Sequence, residues 1–598
     1  MLIIPIKIAL VFVVIICAAF CAEAQTYVRV NQIGYQPASR KIAIAFSREV
    51  LPNQYAIKDG QTLATVFTGK VLPIAGEWGE FTHHAELNFT SFQTEGRFLI
   101  QFGSSRSPLF IIHQHVADAL PDQLLEFMRQ QRCGYNPFVD AVCHPFDGRT
   151  AFGPMRPGTY LDASGGWHDA GDQLKYLLTS SNATAQLLLA YQMAVGDKRS
   201  AQLFADIWNG LGQPGANGLP DILDEARWGL EWMLKLHPAK DQLYHQVADD
   251  RDHHGFRLPQ NETVDYGWGA GSYRVVYFAD GRPQGLKEYQ SESTGVANLA
   301  GRYAAAMALG YQIWIKDPTS RGFADKLLQA ASEVYELGQL KEGVQQGNSY
   351  GAPYRYAETT WADDMEWGAA ELFRVTKEPR YLRDAKRYAA MAGSESWMGQ
   401  EQTGHYQYYP FMNVGHFRLY DLVDLSTKRQ LAAYYREGIE RCVKMGLKNP
   451  FEAGVPFIWC SNNLMVALIT QCAMYERMTG ERRYGDFASK QRDWLLGRNP
   501  WGISMFTVIP KDGTYPHDVH LFPNVLLKTE VRGGLVDGPV YRRVFQNLRG
   551  VFIKEPDPFA AFQDERAVYH DDMNDYSTNE PTMDGTASAV LMFAIVKN

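Results

Sequence analysis

Cysteine is scarce in this chain, 7 residues in 598. Cys17 and Cys21 fall in an apolar N-terminal run, which leaves Cys133, Cys143, Cys442, Cys460 and Cys472. A set this odd and sparse excludes a disulfide framework as what holds the fold. A basic surplus is missing too. The 58 Lys and Arg stand against 66 Asp and Glu, a formal net charge of -8, so there is no electrostatic footprint for nucleic acid. Beyond the N-terminal run no stretch is apolar and long enough to cross a bilayer, and the mature chain is expected to carry no integral membrane segment.

What is present begins with a leader. Lys7 precedes the apolar run Ile8 to Phe20, and Ala22-Glu23-Ala24 is a small-x-small site for cleavage before Gln25. Residues 1–24 read as a signal peptide, and the protein as secreted or periplasmic. The bulky Ile16 and Phe20 before the two leader cysteines fit poorly with lipid attachment. Aromatic residues make up 13% of the chain. Their faces suit the apolar C–H face of a sugar, although most must fill core.

The first hundred mature residues read as strands. Tyr27 to Val30, Lys41 to Phe46, Gln54 to Lys58 and Arg97 to Phe102 are short and β-rich, with Gly, Asn, Pro or Ser between them. A small β-sandwich is expected over residues 25–113. After Ile112 the apolar spacing turns helical, and the domain boundary falls at His113 to Asp118. Leu219, Ile222, Leu223, Ala226, Leu230, Met233 and Leu234 share one helical face, with Pro220 near its start. The connections Thr376 to Tyr381 and Thr479 to Tyr484 resemble each other, which indicates repeated helical hairpins over residues 118–598. Such hairpins form an open solenoid or close into a toroid.

Two acidic segments sit at opposite ends of this helical part, Gly165-Gly166-Trp167-His168-Asp169-Ala170-Gly171-Asp172 and Asp571-Asp572-Met573-Asn574-Asp575-Tyr576-Ser577-Thr578-Asn579-Glu580. The first offers paired aspartates on a glycine-flexed turn, the second a glutamate just before the last apolar helix. Hydrolysis of a glycosidic bond requires one carboxyl group to protonate the leaving oxygen and a second carboxylate acting on the other face of the sugar. The two segments supply both, provided that the domain closes and brings them together.

From about Asp118 the chain resembles a glycoside hydrolase family 9 catalytic domain, and the preceding sandwich resembles the immunoglobulin-like module attached to one subgroup. The resemblance rests on Gly165 to Asp172, Asn217 to Ala226, Ser293-Thr294-Gly295, Trp361 to Trp367, Ser461-Asn462-Asn463, Leu496 to Pro500 and Asn574 to Glu580. Their order and spacing together are specific. It implies a mainly α fold, an (α/α)6 barrel, with inverting hydrolysis of β-1,4-glucans such as cellulose, as by an endoglucanase. Carried over, Asp172 is the general base, Asp169 helps to hold the attacking water and Glu580 is the general acid, with acid and base about 6.5 to 9.5 Å apart. Asp169 could instead cap a helix beginning at Leu174. Tyr576 is placed to position the acid or floor the sugar site, and Trp459 to wall it.

Cys133, Cys143, His144 and His168 offer two thiolates and two imidazoles, the ligand set of a closed structural zinc site. The subgroup resemblance implies the same. A Cys133 to Cys143 disulfide with packed histidines is the alternative. Family members also bind calcium beside the segment matching Trp361 to Trp367; Asp363 and Asp364 match its ligands, with Glu358 and Thr360 as neighbours. An acidic helix start favoured by the helix dipole is the alternative there. No organic cofactor is implied.

One departure bears on specificity. Where many members carry Pro-His-His-Arg, this chain reads Pro516-His517-Asp518-Val519-His520. His517 matches as a substrate contact, while a bidentate cation is missing from the expected place. An exo-acting β-glucosidase or oligosaccharide hydrolase therefore competes with an endo-acting enzyme. A non-catalytic glycan-binding protein is a further alternative, against which the retention of Asp169, Asp172 and Glu580 argues. Asp252-His253-His254 reads as a solvated loop.

Overall fold

The computed structural model describes residues 25–596 apart from 272 and 352–354, so the signal-peptide reading of residues 1–24 lies outside the described residues. Strands Tyr27–Arg29, Ile42–Ser47 and His83–Asn88 form one antiparallel sheet. Gln54–Asp59, Gly96–Phe102 and Phe110–Ile112 form the other, with Gly34–Tyr35 parallel at its edge. The long strand Thr65–Ile74 serves both, pairing first with Gln54 to Lys58 and then with His84 to Leu87. Alternation along the strands turns Tyr55, Ile57, Phe98, Ile100 and Phe102 into the sandwich core.

The last of these strands ends at Ile112, and helix α1 starts at Leu120 (Leu120–Gln130). There follow α2 (Leu177–Gly196), α3 (Asp221–Lys235), α4 (Ala297–Trp314), α5 (Arg321–Leu340) and α6 (Ala362–Thr376). Beyond them come α7 (Pro379–Ala392), α8 (Val414–Tyr420), α9 (Leu425–Gly446), α10 (Ser461–Thr479), α11 (Gly485–Leu495) and α12 (Met583–Ile595). Helices α2, α4, α6, α8, α10 and α12 touch in that order and α12 returns to α2, with the other six packed outside them. This is an (α/α)6 barrel, and the toroid rather than the open solenoid is realised.

Sequence decides which helix goes inside. Every residue of α12 is buried, as is α4 from Ala297 to Gly310; a helix apolar all round has no face to offer water. Outer helices are amphipathic. In α3 the buried side includes Ile222, Leu223, Ala226, Leu230 and Met233, and Pro220 caps its start. Small residues set the inner spacing: a Cβ on Gly301 of α4 would lie 2.2 Å from the backbone carbon of Asp364 on α6.

The sandwich is bonded to the barrel. Asn31 Nδ2 donates to Asp493 Oδ1 at 2.8 Å, Gln32 N to Leu496 O at 2.9 Å, and Trp78 Nε1 to Phe562 O at 2.9 Å. Ile33, Ile44, Phe46, Trp78 and Phe81 belong to the barrel's own apolar core. Trp78 is fully buried. Its replacement by alanine leaves a cavity and an unpaired carbonyl, and is expected to cost about 3–5 kcal/mol. Thermal unfolding should show one lowered transition for Trp78→Ala; two transitions in the wild type would mean that the domains are stabilised separately.

Candidate active site

The first acidic segment forms a tight turn. Asp169 N donates to Leu174 O at 2.9 Å and Leu174 N to Asp172 Oδ1 at 3.0 Å. Lys175–Tyr176 then pairs with Gln246 and Val247, and α2 begins only at Leu177. Asp169 therefore caps no helix at Leu174. It is buried, with Oδ1 accepting from Thr179 Oγ1 at 2.5 Å and Oδ2 from the Tyr356 hydroxyl.

The second segment ends in the short strand Pro581–Thr582, antiparallel to Leu535–Val536, which fixes Glu580 immediately before α12. Two bonds join the halves: Met583 N donates to Asp169 O at 2.9 Å, and Gly171 N to Glu580 Oε1 at 2.8 Å. Position 171 requires glycine. A Cβ there would lie 2.3 Å from His520 O and 2.5 Å from Glu580 Oε1.

Asp172 and Glu580 open onto one cleft of about 810 Å³. Their surroundings differ. Burial, then Asp537 and Asp172, push the Glu580 carboxyl well above the usual range. Asp172 keeps 16% of its side chain exposed and lies 3.4 Å from His253 Nε2. Asp169 is raised by burial first, then by Asp584 and Asp172. Trp459 and Tyr576 line the cleft, their rings 5.5 Å apart, and His405 stacks on Trp459 at 5.2 Å. Trp459 Nε1 donates to Asp537 Oδ2 at 2.7 Å, and the Tyr576 hydroxyl to Arg549 O at 3.0 Å.

His517 stands outside this lining. Its backbone N–H donates to Asp571 and its exposed ring rests 4.4 Å from Tyr515. His520 of the same segment is the one on the cleft, with Nδ1 on Met573 O at 2.7 Å and its ring 4.6 Å from Phe256. The solvated-loop reading of Asp252-His253-His254 is corrected for Asp252, while His253 and His254 are exposed loop residues. Asp252 is buried against Arg274 at 2.9 Å, and this anchor brings His253 to Asp172. Sequence reasoning also missed Tyr356 and Asp537, whose parts are played through tertiary contacts; only their polar character in apolar surroundings offered a signal.

Cys133, Cys143, His144 and His168 are all buried, with one ligand atom from each lying within 4.8 Å of the others. Both cysteines are free thiols. Cys133 Sγ is 3.5 Å from His144 Nδ1, and Cys143 Sγ 3.9 Å from His168 Nε2. Glu262 lies 3.5 Å from the other nitrogen of His144, the kind of carboxylate partner that orients a ligating imidazole. Two thiols and two imidazoles fit a closed tetrahedral metal site. Arg274 links this cluster to the cleft: its Nη2 is 4.0 Å from Cys133 Sγ, and its Nη1 donates to Gln173 O at 2.5 Å.

The second metal position offers oxygen donors, less closely drawn together than the cysteine and histidine set. Glu358 Oε1, Thr360 Oγ1 and Asp363 Oδ1 are buried oxygens without a hydrogen-bond partner, which suits a hard cation. Asp363 is pushed up to about 7 by burial and then by Glu358. Both carboxylate oxygens of Asp364 are likewise without a hydrogen-bond partner, and Arg302 lies beside Glu358 and Asp364 alike, at 2.7 Å and 3.4 Å.

Residues 118–593 match the family described as Glycosyl hydrolase family 9, and residues 23–107 the Cellulase N-terminal ig-like domain. Among similar proteins is the Xyloglucan-specific endo-beta-1,4-glucanase BoGH9A of Bacteroides ovatus, 25% identical over 559 residues, covering 86% of this chain and 85% of that one. Endoglucanase C of Cellulomonas fimi is 25% identical over 93% of this chain and 50% of its own length. The crystal structure of a metagenome-derived glycoside hydrolase family 9 endoglucanase superposes with a TM-score of 0.76 at 26% identity, covering 95% of this chain and 98% of that one. A Zn-binding triple mutant of the family 9 endoglucanase J30, at TM-score 0.72 and 23% identity over 94% of this chain and 99% of that one, shares the fold. With a two-part match spanning nearly all of the described chain and both acidic segments meeting in one cleft, this protein belongs to glycosyl hydrolase family 9 and is a glycoside hydrolase.

Proposed function

We propose that the enzyme is exported and cleaves β-1,4-glucosidic bonds of cellulose-like or related β-glucans with inversion, acting within the chain. One observation carries this reading: two carboxyl groups share a cleft in opposite electrostatic settings, Glu580 buried among acids and Asp172 partly solvated beside a histidine. In the proposed step a water oxygen attacks the anomeric carbon and gives its proton to Asp172, while Glu580 gives its proton to the departing glycosidic oxygen. Asp169 holds the base-bearing turn through Thr179 and Tyr356. Trp459 and Tyr576 supply the sugar-facing aromatic wall. The Cys133, Cys143, His144 and His168 set is assigned to zinc, which would brace the turn without taking part in the chemistry. Asp363 and Asp364, with Glu358 and Thr360 as neighbours, are assigned to calcium. The names of the relatives support a β-1,4-glucan substrate, and the leader at residues 1–24 supports export.

The second reading is an exo or oligosaccharide-cleaving mode, for which Phe256 and His520, rings 4.6 Å apart, line the cleft together with the two carboxyls. Proton NMR of early products from β-1,4-glucan, mixed-linkage glucan, xyloglucan and cello-oligosaccharides tests both points. The α-anomer is expected first, and β-anomer first would overturn inversion. Rapid loss of polymer viscosity identifies internal cleavage; release of one small sugar with viscosity retained identifies the exo mode.

A further inference from the structure

Asp537 has no part in the reaction as derived so far, yet it lies directly opposite the acid. The short strands pair Leu535 with Thr582 and Val536 with Pro581, and the ladder continues with Asp537 N donating to Glu580 O at 2.9 Å. Directly opposed residues on such a pair project to the same side with Cβ atoms roughly 5 Å apart. Both side chains line the cleft, and Asp537 is 1% exposed.

The charged groups facing this pair are further carboxyls: Asp172 and Asp169 from the turn, Asp584 from α12, and Asp575. The neighbouring imidazoles are His405, which stacks on Trp459, and His520, which packs beside Gly171 and Glu580. Burial lowers both, His405 to about 3, so they stay neutral near pH 7. Two opposed buried carboxyls in such company cannot both ionise readily and hold a proton between them.

Hydrogen bonding decides which one holds it. Asp537 accepts at both oxygens, from Trp459 Nε1 at 2.7 Å and from the Cys460 thiol at 3.2 Å. Glu580 accepts one backbone N–H, from Gly171. Burial raises Asp537 as well, while its Cys460 and Trp459 donors lower it; donors aimed at a carboxyl favour its ionised form, so within the pair the negative charge settles on Asp537 and the proton on Glu580.

We propose that Asp537 is a positioning residue for the acid: its carboxylate, held by Trp459 and Cys460 opposite Glu580, keeps the proton on Glu580 and extends hydrolysis to higher pH. This rests on the assignment of Glu580 as general acid. Burial and Asp537, in that order, are the leading causes of the raised Glu580 carboxyl, in keeping with the geometry. Trp459 thereby acquires a second role and Cys460 its first, as donors that fix where the charge lies.

The test is the pH dependence of kcat/KM on cello-oligosaccharides. Asp537→Asn removes the charge at nearly constant shape. Its alkaline limb is expected to move to lower pH by about one unit, a roughly tenfold change in the acid's ionisation constant, while the acidic limb stays. Asp537→Glu should restore much of the wild-type profile. Cys460→Ala, which removes one donor and leaves the charge, should move the limb in the same direction by less. A uniform fall in kcat with the limb unmoved in both Asp537→Asn and Cys460→Ala would make Asp537 merely structural and overturn the proposal. Glu580→Gln separates the two assignments: if it retains activity and the alkaline limb, the general-acid reading fails; if it loses both while Asp537→Asn keeps the limb, only the present inference fails.

Discussion

Glu580→Gln is expected to lower kcat on β-1,4-glucan by about 10²–10⁴-fold, with much smaller loss on an aryl glycoside whose leaving group departs without protonation. The amide keeps the size of the side chain, and one oxygen remains to accept from Gly171 N. Asp172→Asn should behave differently. Every substrate needs the attacking water deprotonated, so both glucan and aryl glycoside hydrolysis should fall by a comparable factor. The contrast between substrates separates the two roles, because damage to the cleft would depress both variants on both substrates alike. Equal losses for Glu580→Gln on glucan and on the aryl glycoside would remove it as the acid.

Disrupting the zinc site proposed at Cys133, Cys143, His144 and His168 should have the next largest effect. Cys143→Ser leaves a buried, incompletely liganded cluster, and a stability loss above about 4 kcal/mol is expected from this mechanism. For a large domain that lowers the unfolding midpoint by roughly 8 °C or more, at about 2 °C per kcal/mol. Activity should fall at temperatures where the protein remains folded. His168 N donates to Gln131 O at 2.8 Å and Gln131 Nε2 to Ala170 O at 2.7 Å, so slack at the cluster reaches the turn bearing Asp172. Elemental analysis of the wild type should find zinc near one per chain, lost in Cys143→Ser. Reducing agent should leave the wild type unchanged; strong destabilisation by reductant with no zinc present would favour a Cys133 to Cys143 disulfide.

The main lines of this molecule are legible in the residues. Alternating strands up to Ile112, helical periodicity after it, and the two acidic segments all carry local signals. The start of α2 is less legible, because Leu174 and Tyr176 are apolar like the helix that follows while Lys175–Tyr176 pairs as a strand with Gln246 and Val247. His517 drew attention through its position in a run, yet Asp571 holds that backbone at the rim and His520 takes the cleft. His253 is a loop residue, and its approach to Asp172 is illegible because what anchors the loop, the bond between Asp252 and Arg274, joins segments with no sequence relation visible in advance. Asp537 is the clearest case. Its neighbour in space is fixed by two short strands that have no periodicity of their own.

The inner ring closes only where α12 meets α2, across most of the catalytic domain. Chains rich in such distant contacts fold slowly. During synthesis the base-bearing turn emerges early and waits, with the apolar side of α2 uncovered, until Glu580 and α12 arrive to complete both the wall and the reaction centre. A chain stopped short of α12 therefore leaves the inner ring open and lacks Glu580, so truncation there removes the closing wall and one of the two cleft carboxyls together.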